Sequence, residues 1–323
     1  QTKGLRVECK YSTLKMYDEL KKILWRYPSE QFAYMAQRTL EVKILELVKN
    51  GLSATGLKKV ALAGGVFSNI KVNMLIRTLH EVEGCFIFPH MGDGGLALGA
   101  ALSANYELNK IYSYRLDDVF LGKDYSEEEI KSELDASRLE YIYHENIEEE
   151  TAKLISQGYI IFRFQGRMEY GPRSLGNRSI IALANSKRIR DLLNLRLKMR
   201  VWYQPFCPTM LEEDAQFYLE KYDKPNPFMT MGYMVKDDKR DEIEGVISVD
   251  GSCRPQIIQE NESLYGKLLS NVKKLTGRGV VLNTSFNIHG EPMVCSPKDA
   301  IDTLKRTKND YLVMGNYLVK GVK

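Results

Sequence analysis

Residues 58–69, KKVALAGGVFSN, contain the pattern that decides the fold. The apolar run from Val60 to Ala63 predicts a short buried strand, and the double glycine after it predicts a tight turn into a helix. The neighbouring segments follow the same rhythm, with helices predicted over 29–51, 70–84 and 96–109 and a second strand over 85–90. Helices that alternate with short apolar strands are typical of an α/β fold with a parallel sheet.

The rest of the chain repeats this alternation after a change in composition. From about residue 111 to residue 147 the sequence is charged and contains several tyrosines, without a strong apolar period. We therefore predict two domains, over residues 1–110 and 111–323. Strands are predicted within 158–166, 179–184 and 245–258, at the start of 280–296 and within 311–319, and helices over 124–137, 186–199, 261–277 and 296–307.

Small polar residues and glycines mark the ends of several predicted helices. Hydroxyl and amide side chains satisfy free N–H groups at a helix start, and glycine adopts the backbone conformation that often ends one. The residues placed to begin helices are Ser29, Ser126, Asn261 and Ser296. The residues placed to end them are Gly51, Gly84 and Gly277.

Composition indicates a globular protein without an obligatory nucleic-acid partner. The chain has 323 residues, 44% hydrophobic and 27% charged, and a net charge of +4, which is too mild to indicate nucleic acid binding. No run approaches the roughly 18 apolar residues that a membrane span needs, and no signal-peptide pattern opens the chain. Five widely separated cysteines without metal spacing predict reduced thiols and a cytoplasmic location. The first residue is Gln1 rather than methionine, so we expect a piece of a longer protein.

Two glycine-rich turns follow the first two predicted strands. Gly64 and Gly65 allow backbone N–H groups to approach a phosphate closely, although a tight packing turn is the alternative interpretation. Asp93, in the turn MGDGG at residues 91–95, is placed to ligate a metal that bridges nucleotide phosphates. Its alternative role is to cap the following helix.

A basic, glycine-rich segment lies between two apolar runs of the second domain. Residues 166–179, GRMEYGPRSLGNRS, include Arg167, Arg173 and Arg178, whose guanidinium groups suit phosphate or carboxylate oxygens. A solvated basic loop is the alternative, but the apolar flanks favour a segment that is buried at both ends. We interpret Glu169 as a partner for one arginine.

Further polar residues follow other apolar runs, where ligands bind in α/β proteins. They are Lys198, Arg200, Arg254, Asn283, Thr284, Ser285 and Asn287. Several cations with amides and hydroxyls, and few acids, predict a small phosphorylated or acyl-phosphate substrate beside a nucleotide.

These motifs resemble, in order, those of the O-carbamoyltransferases, the family of nodulation-factor and antibiotic carbamoylating enzymes. The resemblance covers about residues 30–323. The segments that carry it are LAGGVFSNIKVN, PHMGDGGLALGAAL, GRMEYGPRSLGNRSI, KMRVWYQPFCPTMLEED, VDGSCRPQ, LNTSFNIHGEPMVCSPKDAI and MGNYLV. It implies a partial actin-like lobe followed by a twisted-sheet α/β domain similar to threonylcarbamoyl-adenylate synthase.

The resemblance also implies a two-stage reaction. The C-terminal domain would use carbamoyl phosphate and ATP to make carbamoyl adenylate, and the actin-like domain would pass the carbamoyl group to a hydroxyl of a small-molecule acceptor. The residues carried over as catalytic are Arg173, Lys198, Arg254, Asn283 and Ser285. Those carried over as binding nucleotide or phosphate are Gly64, Gly65, Asn69, Arg178, Arg200 and Asn287.

The implied cofactors are ATP with Mg²⁺ and a metal such as iron in the actin-like domain. Asp93 would be one metal ligand, and His90 lies close to it in the sequence. The family has a further lobe with an HxxxH pair that supplies other ligands, and no two of the four histidines here are four residues apart. We expect the face that would meet this lobe to favour a homodimer. Threonylcarbamoyl transfer toward tRNA and a non-catalytic nucleotide-binding module are the alternative functions.

Overall fold

Two separate units make up the chain, the first ending at Gly95 and the second beginning at Leu96. The computed structural model describes residues 2–223 and 225–322. In the part of the chain that it describes, no helix is long and apolar enough to cross a membrane. The predicted domain boundary between residues 110 and 111 lies at the end of the helix Gly95–Asn109.

The first unit places two parallel strands beside long helices. Its elements are β1 (Thr2–Lys3), β2 (Arg6–Val7), α1 (Thr13–Arg26), α2 (Ser29–Thr55), β3 (Lys59–Leu62), α3 (Ile70–Arg77) and β4 (Gly84–Ile87). β3 and β4 pair in parallel from Lys59 opposite Gly84 to Leu62 opposite Ile87. Both strands therefore end at the same edge, where the two glycine-rich turns follow.

Several predicted helix ends are wrong, and the backbone shows why. α2 passes through Gly51 and ends at Thr55. Gly56 follows in the left-handed conformation and donates its N–H to the Leu52 carbonyl. Ser29 is the first residue of that helix rather than its cap. α3 ends at Arg77 instead of reaching residue 84, because Gly84 belongs to strand β4.

The second unit contains a large mixed sheet with helices on both faces. Its elements are α4 (Gly95–Asn109), which begins at the boundary, α5 (Glu127–Ser137), β5 (Tyr141–Tyr143), α6 (Ile147–Ser156), β6 (Ile161–Phe164), β7 (Arg178–Leu183), α7 (Lys187–Leu192), β8 (Cys207–Leu211), α8 (Glu212–Tyr218), β9 (Tyr233–Met234), β10 (Ser252–Cys253), β11 (Gln256–Ile258), α9 (Leu264–Thr276), β12 (Val280–Ser285), α10 (Pro297–Thr307), β13 (Tyr311–Met314) and β14 (Tyr317–Lys320). The α/β class is confirmed.

Strand order is β11-β8-β12-β7-β6-β13-β14-β5, and β9 pairs with β10 separately. β11 is parallel to β8 and β13 to β6, while the other neighbours in the large sheet are antiparallel. The start of β7 therefore lies beside the end of β12, and the end of β12 beside the start of β8. This arrangement brings the segments between these strands to one edge of the sheet.

Side chains of each central strand alternate between two apolar cores. Ile180 of β7 packs with Phe162 and Phe286, whereas its neighbour Ile181 packs with Leu268 of α9. Alternation of this kind follows from the two-residue period of a strand. Both faces of the central strands are thus buried, which explains their almost continuous apolar sequences.

Two predicted caps of this unit are confirmed and one is wrong. Ser126 and Ser296 each form a capping box with an acidic residue three positions later. α9 begins after Ser263, whose hydroxyl accepts the Gly266 N–H, so Asn261 is not its cap. Gly277 ends that helix in the left-handed conformation, as predicted.

Candidate active site

The basic segment forms the connection from β6 to β7. One carboxylate within the segment binds several of its backbone N–H groups. Glu169 Oε1 accepts the backbone N–H groups of Leu175 and Asn177 at 2.8 Å and of Arg178 at 3.2 Å. The sequence predicts Glu169 as a partner for one arginine, but its direct hydrogen bonds go to these backbone groups. Gly176 has φ +117° and a Cβ there would lie 2.3 Å from Tyr265 Cδ1, so glycine is required.

The three arginines of this connection have different environments. Arg178 is fully buried, and its guanidinium donates to the carbonyls of Gln165 and Gly166 at 2.7 and 3.0 Å. Burial lowers the pKa of Arg178 to about 10, and the charge of Glu169 opposes that change. Arg167 is exposed and donates to the Gly122 carbonyl. Of the three, Arg173 reaches the cavity described next.

A cavity of about 140 Å³ opens at this edge of the sheet and has three guanidinium groups in its wall. We call it the arginine cavity. It is lined by Pro172, Arg173, Ser174, Arg200, Pro205, Phe206, Cys207, Met229, Arg254, Asn283, Thr284 and Ser285. No lining residue is a carboxylic acid. Three clustered cations repel one another, so the arrangement favours an anionic ligand.

The electrostatics of Arg173 reflect this crowding. Burial, and then the positive charge of Arg254, lower its pKa to about 10, while Cys207 opposes the change. Arg173 Nε has no hydrogen-bond partner within residues 2–223 and 225–322. A ligand oxygen would supply the missing acceptor.

The other two guanidinium groups are held in place by neighbouring side chains. Arg254 donates from Nε and Nη2 to Cys207 Sγ at 3.2 and 2.9 Å. Arg200 Nε donates to Asn194 Oδ1 at 2.6 Å, and its guanidinium lies 4.3 Å from the centroid of the Phe206 ring. Burial lowers the pKa of Arg200. Both side chains are therefore positioned before any ligand arrives.

Lys198 is not among the cavity-lining residues, but its ammonium group connects Ser285 with Asn287. Its Nζ lies 2.7 Å from the Ser285 carbonyl and 2.7 Å from Asn287 Oδ1, with Ser285 Oγ and the Asn287 carbonyl at 3.2 and 3.0 Å. Burial, and then the charge of Arg200, lower the pKa of this lysine to about 7. Lys198 and Asn287 do not line the cavity; they hold Ser285, which does.

A buried polar cluster supports Asn283 in the cavity wall. Asn283 Nδ2 donates to Thr209 Oγ1 at 3.0 Å, to the Ser174 carbonyl at 3.2 Å and to Gln256 Oε1 at 3.3 Å. The side chain is only 2% exposed, yet Oδ1 has no hydrogen-bond partner in the described residues. An unpaired buried acceptor is costly, so a hydrogen-bond donor from a bound water or ligand would stabilise this atom.

The first unit brings its predicted residues together at a separate edge. Gly64 N–H donates to the Met91 carbonyl at 2.7 Å, which joins the two glycine-rich turns. A Cβ on Gly64 or Gly65 would meet nothing within 4 Å, so the space above this turn is open. Asn69 caps α3 by accepting the Val72 N–H at 3.1 Å. Its amide also bonds with that of Gln37, at 2.7 Å.

Asp93 is exposed in the second turn and could supply one oxygen ligand. Across residues 2–223 and 225–322, no group of three or more His, Cys, Asp or Glu residues forms a metal site. The metal assignment of Asp93 stays a prediction.

Sequence reasoning missed Asn194, Thr209, Gln256 and Cys207. Asn194 lies in a π-helical turn, Leu193–Leu197, that continues α7, and nothing in the sequence marks its contact with Arg200. Thr209 and Gln256 are polar residues within the apolar strands β8 and β11, a signal that could have found them. Cys207 is buried, and its sulfur accepts two bonds from Arg254.

Comparisons with known protein families agree with the motifs. Residues 7–102 match the family described as carbamoyltransferase N-terminus, and residues 152–321 match carbamoyltransferase C-terminus. The chain belongs to the carbamoyltransferase family. Among its relatives is nodulation protein NolO of Bradyrhizobium diazoefficiens, 36% identical over 88% of this chain and 53% of that protein. Nodulation protein NolNO of Sinorhizobium fredii is 36% identical over 88% of this chain and 43% of its own length.

This carbamoyltransferase chain spans about half the length of the curated relatives it matches. The uncharacterized protein MJ1058 of Methanocaldococcus jannaschii is 38% identical over 90% of this chain and 49% of that protein. Among solved structures, full-length HypF in a phosphate- and nucleotide-bound form gives a TM-score of 0.37 and 16% identity over 55% of this chain and 22% of its own. The family assignment rests on the sequence matches.

Proposed function

We propose that the second unit of this carbamoyltransferase activates the carbamoyl group with ATP. Carbamoyl phosphate and water would give carbamate and phosphate; a carbamate oxygen would then attack the α-phosphorus of ATP, forming carbamoyl adenylate and releasing pyrophosphate. A hydroxyl of a small-molecule acceptor would finally take the carbamoyl group and release AMP. The proposal follows the family's chemistry and is supported by the arginine cavity.

The observation that carries the proposal is the composition of the cavity wall. Arg173, Arg200 and Arg254 suit phosphoryl oxygens, and the lining includes no carboxylate to neutralise them. Asn283 Oδ1, buried and unpaired, would accept an N–H of the carbamoyl group. Positioned donors of this kind stabilise the charge that develops as the phosphoryl group transfers.

Pyrophosphate release from ATP and carbamoyl phosphate, with Mg²⁺ present, tests the proposal. We expect Arg173→Ala to lower the rate by about 100-fold or more, as when one positioned donor is removed from a site of developing charge. Arg167→Ala is the matched control, because this exposed arginine belongs to the same connection but bonds to the Leu121 and Gly122 carbonyls. Release that does not depend on carbamoyl phosphate would exclude this substrate.

The two alternative functions give different results in the same assay. Threonylcarbamoyl chemistry requires bicarbonate and threonine in place of carbamoyl phosphate. A non-catalytic module binds ATP in calorimetry without releasing pyrophosphate. The cation cluster favours the activation of carbamoyl phosphate over these alternatives. A cavity wall without carboxylates accommodates a doubly charged acyl phosphate.

A further inference from the structure

A second cavity adjoins the arginine cavity and has an aromatic wall. It measures about 230 Å³ and shares Pro205 with the arginine cavity; we call it the aromatic cavity. Its other lining residues are Lys187, Arg190, Trp202, Tyr203, Arg240, Asp241, Glu244, Ile247, Ser248 and Val249. The Trp202 and Tyr203 side chains are 62% and 55% exposed, and their ring centroids lie 5.6 Å apart.

We propose that the adenine base of ATP stacks on the Trp202 ring in the aromatic cavity, with the Tyr203 ring, which lies at 88° to that of Trp202, against the edge of the base. Its phosphates then occupy the arginine cavity. This inference rests on the proposed function for the identity of the nucleotide. Exposed aromatic rings bind bases because every base has a flat π face. Cavities of about 300–1,000 Å³ hold drug-sized ligands. A purine base is smaller than such ligands, so it suits the aromatic cavity of about 230 Å³.

One buried amide connects the two cavities. Asn194 Nδ2 donates to the carbonyls of Trp202 and Gln204, each at 3.1 Å, and Asn194 Oδ1 accepts from Arg200 Nε at 2.6 Å. Asn194 is fully buried. The same side chain therefore fixes the aromatic segment and one guanidinium of the arginine cavity, so that a base and a phosphate chain can be recognised together.

The charges around the aromatic cavity favour a neutral group over another phosphate. Lys187 Nζ lies 2.7 Å from Glu244, and Arg240 Nη2 lies 2.6 Å from Asp237. Arg190 Nη2 lies 2.8 Å from Asp191. Each basic lining residue is thus paired with an acid, whereas the arginine cavity has three guanidinium groups and no acidic lining residue. This contrast matches the two ends of a nucleoside triphosphate.

Trp202 is also a convenient reporter, because the chain has only one other tryptophan. Trp25 is highly exposed on α1 of the first unit, so Trp25→Phe leaves Trp202 as the single tryptophan with little structural effect. We expect ATP to quench Trp202 fluorescence in this variant when excitation avoids the adenine absorption. Tripolyphosphate, which has the phosphates without the base, should leave the emission nearly unchanged.

Binding measurements on the full chain complete the test. Trp202→Ala should weaken ATP binding by about 5- to 150-fold, the range expected for losing a stacked base, and Trp202→Phe should restore most of it. Neither variant should change the affinity for tripolyphosphate, because Asn194 holds the Trp202 carbonyl rather than its side chain. Arg173→Ala should weaken both ligands.

Three results would overturn the inference. They are an unchanged ATP affinity in Trp202→Ala, equal quenching by tripolyphosphate, and an emission shift that depends on protein concentration instead of ATP, which would assign the surface to a protein contact. The proposed function fails separately, if pyrophosphate release ignores carbamoyl phosphate or is unaffected by Arg173→Ala. If ATP quenches Trp202 but turnover does not depend on carbamoyl phosphate, the adenine site is supported and carbamoyl phosphate is rejected as the substrate.

Discussion

At the scale of single residues, Lys198 shows how burial changes the chemistry of a predicted phosphate ligand. The sequence places a lysine two residues before Arg200 and predicts that both bind phosphate. In the fold its Nζ has four oxygen atoms of Ser285 and Asn287 within 3.2 Å, and burial lowers its pKa to about 7. Its direct role is to hold the segment that carries Ser285.

The Lys198 ammonium should titrate near neutral pH. Selective ¹³Cε labelling of lysine, with Lys198→Arg to assign the resonance, should give a midpoint near pH 7 in the free protein. Pyrophosphate should raise it, because a nearby anion favours the charged form. Between pH 7 and the ordinary lysine value of 10.5, the unfolded chain binds more protons, so this residue's contribution to stability rises with pH. A midpoint near 10 in the free protein would contradict the prediction.

At the scale of elements, the β6–β7 connection depends on Glu169. Glu169→Ala should speed hydrogen exchange at the amides of Leu175, Asn177 and Arg178, which lose their acceptor. Bonds to a charged group contribute about 1.5–3 kcal/mol, so exchange should quicken on the order of 10- to 100-fold. Glu169→Gln keeps an Oε1 acceptor and should retain most of the protection. Exchange in Glu169→Ala that is as slow as in the unchanged protein would show that the carboxylate does not hold the connection.

A buried ion pair joins β6 to α6 beneath the same connection. Arg163 Nη2 lies 2.8 Å from Glu148 Oε1, and Arg163 Nη1 donates to the Gly176 carbonyl at 2.8 Å. Burial raises the pKa of Glu148, and Arg163 opposes that change. The pair thus links the core of the sheet to the arginine-bearing segment.

Removing one partner of this ion pair should lower the free energy of unfolding much more than replacing both partners with apolar residues. Glu148→Ala should lower the free energy of unfolding by about 3–5 kcal/mol, because it leaves the Arg163 charge buried and uncompensated. The double change Glu148→Leu with Arg163→Met should recover most of that loss, since both charges are removed together. Urea unfolding of the three proteins measures the difference. A double variant less stable than Glu148→Ala would show that the Gly176 bond of Arg163 is the larger contribution.

The sequence predicts elements better than it predicts their contacts. β13, β14 and α10 follow from an apolar run or a capping box, which are local signals. No prediction covered α1, which buries none of its residues. The contact of Asn283 with Ser174 joins residues 109 apart and depends on β12 pairing between β7 and β8. One sequence does not determine that strand order, so the cavity could be predicted only as a set of residues.

At the scale of the whole molecule, an exposed stretch after the first helix of the second unit indicates where a protease acts first. Lys110 ends α4 with φ +56°, and residues 110–126 form no helix or strand. Tyr112 is 74% exposed, and the Arg115 side chain is also highly exposed. An exposed segment without regular structure is a preferred site of cleavage.

Trypsin should therefore cut first after Lys110 or Arg115 and leave a resistant fragment that ends with the chain. Every residue lining the two cavities lies after residue 170, so this fragment should keep the ATP affinity of the intact chain. Changing both Lys110 and Arg115 to Gln should delay cleavage without changing ATP binding, because neither lines a cavity. First cleavage between residues 196 and 200 would instead show that the segment carrying Arg200 opens more readily than residues 110–115. In that case ATP should protect it, since Arg200 would bind the phosphates and Trp202 the base.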